Sequence, residues 1–187
     1  MLEKLRLWLH ISHSGKIARR YFVVNGFDGA LTLMGMNVGF YLSGEDNLSV
    51  IISACLGASV ALGVSGVSSA YISESAERER ELRALEGAMV RDLSDSDHGR
   101  ALRFASWGIA SVNGMAPLLF GMLIIFPLWL AGKGVGLPFD PVESALMTAL
   151  CILFFLGIVI GRIQGRFWLW SGFRTLIIAV LTAILIF

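Results

Sequence analysis

The chain has 187 residues, 56% of them hydrophobic and only 16% charged. That balance excludes an ordinary soluble domain and points to an integral membrane protein. A formal net charge of +1 lacks the basic excess of a nucleic-acid-binding chain, so no nucleic-acid partner is expected.

In chain order, residues 1–20 come first, with Leu2, Leu5, Leu7, Trp8 and Leu9 interleaved with Lys4, Arg6 and His10. Such a segment suits the headgroup layer, where membrane lipid is its partner. It is no signal peptide, because charges interrupt the apolar run and no small-residue cleavage site follows. Five apolar stretches then approach the roughly 20 residues that a helical span needs. They are 22–42, Leu48–Ser73, Phe104–Ala131 with Pro117 and Pro127 inside, 142–161, and 167–187. The connections 43–47 and 132–140 read as turns, and Asp140-Pro141 reads as a helix start. Cys55 and Cys151 both fall inside apolar stretches and read as reduced core residues. The expected fold is all-α: a polytopic membrane protein with five transmembrane helices, the second extended into the cytoplasm. Its divisions are 1–20, the spans within 21–73, an acidic helix and linker over 74–100, and the spans within 101–187. Fourteen of the 15 Lys and Arg residues lie before the first span, in 74–103, or in 162–174; only Lys133 lies on the other side. By the positive-inside rule the N-terminus is cytoplasmic and the C-terminus outside.

Asp28 stands in the first stretch with no other charge between Arg20 and Glu45. An ionisable group at the centre of a membrane helix costs about 2.5 kcal/mol or more, and is tolerated when paired, protonated or facing a polar path. Thr32 lies one turn later on the same face, and Gly35-xxx-Gly39 permits close helix approach. Two readings stay open: a cation or proton site, or an ion pair with Arg174, which lies at a comparable depth in the fifth stretch. The second stretch ends in Ser65, Ser68, Ser69, Tyr71 and Ser73. These oxygens either line a hydrated path or bond their own backbone. No glycine or proline breaks Glu74–Glu86, so the second helix continues past the membrane. At i, i+3 and i+7, Glu74, Glu77 and Glu81 share a face and present oxygen ligands to a divalent cation, with Glu86 on another face. The alternative is a solvated helix with Glu74–Arg78 and Glu79–Arg83 pairs. Residues 92–99 read as a turn and helix cap, and His10, His13 and His98 are too scattered for a zinc site.

The run Arg20-Tyr-Phe-Val-Val-Asn-Gly-Phe-Asp28-Gly-Ala-Leu-Thr32 and the run Ser65-Gly-Val-Ser-Ser-Ala-Tyr71-Ile-Ser-Glu-Ser-Ala-Glu77 together resemble the vacuolar iron transporter family. Pro117 and Ser171-Gly-Phe-Arg174 fit more loosely. The resemblance implies a homodimer with a path between the copies, carrying Fe²⁺ or Mn²⁺ out of the cytoplasm in exchange for protons. It makes Asp28 the intramembrane metal and proton site and Glu77 the glutamate at the cytoplasmic mouth. The metal is cargo, with no permanently bound cofactor and no enzymatic role. Two departures stand out. A methionine found on the second span of plant members is replaced here by Gly66, leaving Met34, Met36 or Met115 as substitutes. The stretch between spans two and three is also too short for a separate metal-binding domain, so a cytoplasmic site is a reduced one. The alternative class is a non-transporting membrane scaffold whose acidic helix docks a soluble partner.

Overall fold

A computed structural model describes residues 14–89, 96–165 and 167–186. Residues 1–13 of the N-terminal segment, with His10 and His13, and the acidic residues Asp92 and Asp95 lie outside them, as does the side chain of His98. The described residues form five helices and no strand: α1 Ser14–Ser43, α2 Leu48–Met89, α3 Asp97–Gly132, α4 Pro141–Ile163 and α5 Trp168–Ile186.

Four of these, α2 to α5, are long and apolar enough to cross a membrane. Of the five expected spans, these are the four that length and composition support. With its 30 residues α1 has the length, but Asn25, Asp28, Thr32, Asn37 and its glycines lower its hydropathy. The surface agrees with a lipid environment. Trp170 and Leu185 are 69% and 87% exposed, among many other large apolar side chains. Soluble monomers rarely leave such surface uncovered.

As expected, α2 runs unbroken into the acidic stretch. Its 42 residues span about 63 Å at 1.5 Å per residue, twice the thickness of a hydrocarbon core. Ser96 caps α3, its hydroxyl accepting from the Gly99 N–H at 3.1 Å. Pro141 opens α4 at the first helical position, where its missing N–H costs nothing.

By packing, the chain divides into two compact units, one made of the residues up to Phe22 with Val64–Met115, the other of Val23–Gly63 with the chain from Ala116 onward. These boundaries fall inside helices, whereas the divisions read from sequence follow the expected membrane surfaces. In the first unit the C-terminal half of α2 buries Ala70, and the start of α3 buries Leu102, Ala105 and Ile109. Asn113 Nδ2 donates to the Gly66 carbonyl at 2.8 Å, and the Tyr71 and Trp107 rings stand 4.5 Å apart.

The second unit is held by small-residue seams. Gly157, Gly161 and Gly172 bring α4 and α5 together so closely that a Cβ on Gly161 would stand 2.6 Å from that of Ser171. Thr175 Oγ1 lies 3.0 Å from the Leu153 carbonyl across the same seam. Gly29 meets Pro117 of α3, and Gly26 meets Phe120. The seam expected at Gly35-xxx-Gly39 is not used within the chain: Gly39 has nothing within 4 Å of a Cβ position, and Gly35 meets only the tip of Ile186. Both described cysteines are free, but only Cys55 is buried; Cys151 is exposed rather than in the core. A three-residue spacing fixes which small residues share a helix face, while the partner helix decides which face is used.

Candidate functional site

In the second unit α1 buries Val23, Ala30, Leu33, Met34 and Asn37 and leaves Val24, Asp28 and Thr32 exposed. The carboxylate therefore stands on the outer face of the helix, one residue from the tightest backbone approach. A Cβ on Gly29 would be 2.7 Å from Pro117 Cβ and 2.9 Å from its Cα, so the backbone beside Asp28 is clamped. Thr32 Oγ1 donates to the Asp28 carbonyl at 2.8 Å, spending its proton on its own helix. At about 100° per residue, Gly35 and Gly39 lie within about 20° of the Asp28 direction. Asp28, Thr32 and the open Gly39 form one polar, thin face.

Asp28 and Arg174 do not pair; no ion pair joins them, and Arg174 is itself exposed. Met34 is 2% exposed and belongs to the core rather than to that face. Met36 is half-buried and Met115 is exposed.

A buried polar group in this unit escaped the sequence reading. Asn37 is fully buried, with Nδ2 donating to the Leu33 carbonyl at 2.8 Å and 3.8 Å from Cys55 Sγ. Its Oδ1 has no hydrogen-bond partner. Ser59 Oγ donates to the Cys55 carbonyl at 2.8 Å and packs on Gly121. The signal in the sequence is an asparagine amid apolar residues, which is costly to bury without hydrogen bonds.

In the first unit the acidic helix is organised by one arginine. Arg78 Nη1 donates to Glu81 at 3.0 Å, and Nη2 stands 3.7 Å from Glu74. Both Arg78 and Glu74 are nearly buried, whereas Glu77 is exposed and Glu86 half-buried. Glu79 and Arg83 form the other expected pair. The Tyr21 hydroxyl lies against Glu74 and Ser73. Two of the three carboxylates read as a cation face are thus held by Arg78. Among the described residues no three His, Cys, Asp or Glu side chains gather into a group that could hold a metal ion. Ser65, Ser68 and Ser69 are exposed, and Ser69 Oγ donates back to the Gly66 carbonyl at 3.4 Å. The Gly66 carbonyl, at the place where the resemblance expects methionine, is the acceptor for Asn113.

The contrast between the two ion pairs is testable. Arg78→Ala strands the buried Glu74 carboxylate and is expected to destabilise the protein by about 3 kcal/mol. Arg83→Ala, in a pair that is mostly exposed, is expected to shift stability by less than about 0.5 kcal/mol. Thermal unfolding of the two variants in one detergent measures the difference.

No family model matches the chain, and no solved structure does. It is similar to the uncharacterized protein MJ0645 of Methanocaldococcus jannaschii, with 31% identity over 182 residues, covering 93% of this chain and 89% of that protein. Identity of that degree along nearly the whole of both chains places this chain in the same family as that archaeal protein.

Proposed function

We propose that the chain is a membrane transporter for a divalent transition metal, Fe²⁺ or Mn²⁺, working as a homodimer. The observation that carries this reading is the exposed Asp28 carboxylate on the same face of α1 as the open Gly39. A carboxylate on an outer helix face cannot rest in hydrocarbon at a cost of about 2.5 kcal/mol or more. A second copy covering that face, with water and a cation between the two carboxylates, removes the cost. Under this reading α1 is the fifth span, admitted to the bilayer because its polar face is covered. The N-terminus is cytoplasmic and the C-terminus outside, in line with the distribution of Lys and Arg. The exposed Glu77 collects the ion on the cytoplasmic side, Asp28 binds it within the membrane, and protonation of Asp28 from outside releases it. Oxygen donors suit Mn²⁺ and Fe²⁺ better than Cu⁺.

The test is uptake into inverted vesicles containing the purified protein, with a panel of divalent cations and an imposed pH gradient. Uptake of Mn²⁺ or Fe²⁺ that grows with the gradient is expected; uptake indifferent to both protein and gradient ends the reading. The pairing of Glu74 and Glu81 with Arg78 favours a second reading, a membrane scaffold whose acidic helix docks a soluble partner. That reading expects no metal flux at all.

A further inference from the structure

Within the first unit a cleft of about 480 Å³ lies between α2 and the start of α3, its walls including Tyr71, Ser75, Arg78, Arg83, Arg103 and Trp107. Glu79 and Glu86 also line it, with Glu79 paired to Arg83. Arg78 decides what the cleft suits. Arg78 is 9% exposed, and its Nη1 is taken by Glu81, yet Nε and Nη2 are both buried without a hydrogen-bond partner. Glu74, at 3.7 Å from Nη2, compensates charge but is too far for a hydrogen bond. Nε and Nη2 form the side edge of the guanidinium, the fork that matches two oxygens of a phosphate or carboxylate. A buried cationic donor edge left unmatched is costly, so this edge calls for an acceptor.

We propose that this cleft binds a phosphate oxyanion, with the Nε and Nη2 edge of Arg78 as its buried fork and Arg103 on the facing wall. The aromatic pair at one end says where that phosphate sits. Tyr71 and Trp107, 4.5 Å apart, are the residue types that mark a membrane–water boundary. From Tyr71 the lining of α2 continues to Glu86, about 22 Å further along the helix. A phosphate held there is at headgroup depth, and it can arrive as the headgroup of an anionic lipid or as free phosphate from solution. Neither source is part of the metal path proposed above, which uses Asp28 and Glu77.

The experiment uses the purified full-length protein in nanodiscs and reads thermal stability together with lipid retained on extraction. One arm raises phosphatidylglycerol in phosphatidylcholine; the other titrates inorganic phosphate in phosphatidylcholine alone, with sodium chloride at matched ionic strength as control. Saturable stabilisation in the first arm alone identifies a lipid headgroup, and in the second a free phosphate; either supports the site. Arg78→Lys keeps the charge but removes the fork, and is expected to weaken the apparent affinity about tenfold or more. Arg103→Gln, on the opposite wall, is expected to weaken it less, and decides the matter if the Arg78 variant does not fold. Stabilisation in neither arm, an equal effect of sodium chloride, or affinity unchanged in the variants overturns the proposal.

Discussion

Replacing Asp28 with leucine is expected to abolish gradient-driven metal uptake while raising the thermal stability of the protein. The two effects have opposite signs because they act on different states. Among the described residues the carboxylate has no ion-pair partner, Arg174 included, and it sits on an outer face of α1. In the ion-free protein, where no cation stands between the two carboxylates, removing it returns about 2 to 3 kcal/mol of desolvation cost. The same substitution deletes the only charged residue between Arg20 and Glu45, and with it the group that binds the ion and exchanges the proton. Uptake into inverted vesicles at matched protein levels, beside unfolding curves in the same lipid, measures both. Loss of uptake with a gain in stability is the mark of a functional carboxylate, since functional groups are often kept at a cost in stability. Loss of stability would instead make Asp28 a structural residue, and unchanged uptake would end the proposed mechanism.

Gly29→Val is expected to be the most damaging single change in the seams of α1. Even a Cβ there would stand 2.9 Å from the Pro117 Cα, a backbone atom that cannot rotate away. Overpacking against backbone costs about 1 to 3 kcal/mol and displaces the helix, moving Asp28 with it. Gly39→Leu is the informative companion. Nothing lies within 4 Å of a Cβ at Gly39, so the protomer is expected to tolerate the larger side chain. If the Asp28 face meets a second copy, Gly39→Leu blocks that approach, lowering the dimer fraction while leaving the unfolding of the protomer nearly unchanged. Size-exclusion chromatography with light scattering reads the first, and thermal unfolding the second. A dimer that survives Gly39→Leu would remove α1 from the interface.

Much of the helical framework is legible in the sequence, and the reason is local. Hydropathy adds along the chain, so apolar runs mark α4 and α5 closely, whereas α2 and α3 extend beyond their apolar runs by polar turns. Pro141 marks the start of α4 because proline at the first helical position loses no hydrogen bond. The unbroken run Glu74–Glu86 marks the continuation of α2 because nothing in it interrupts the backbone ladder. Asp28 was legible for the same reason, as one costly residue against a uniform background. The pairs Glu74–Arg78 and Glu79–Arg83 were visible as i, i+4 neighbours, a spacing that one helix fixes without help.

What needed tertiary structure depends on which helix lies against which. Gly35-xxx-Gly39 and Gly157-xxx-Gly161 are the same pattern in sequence, yet only the second has a helix pressed on it. Cys55 and Cys151 both sit in apolar runs, but a helix buries only the face turned to a neighbour, so one is covered and the other exposed. Asn37 acquires its meaning from burial beside Cys55, and Arg78 acquires its open fork from the packing that covers it. The sequence by itself determined that this is a chain of long apolar helices bearing one isolated carboxylate. Only the tertiary structure decided that the carboxylate faces outward, with no ion-pair partner among the described residues, and that Arg78 holds two carboxylates of the acidic helix. Composition and spacing are properties of one strand of chain, whereas burial and pairing are properties of two segments brought together.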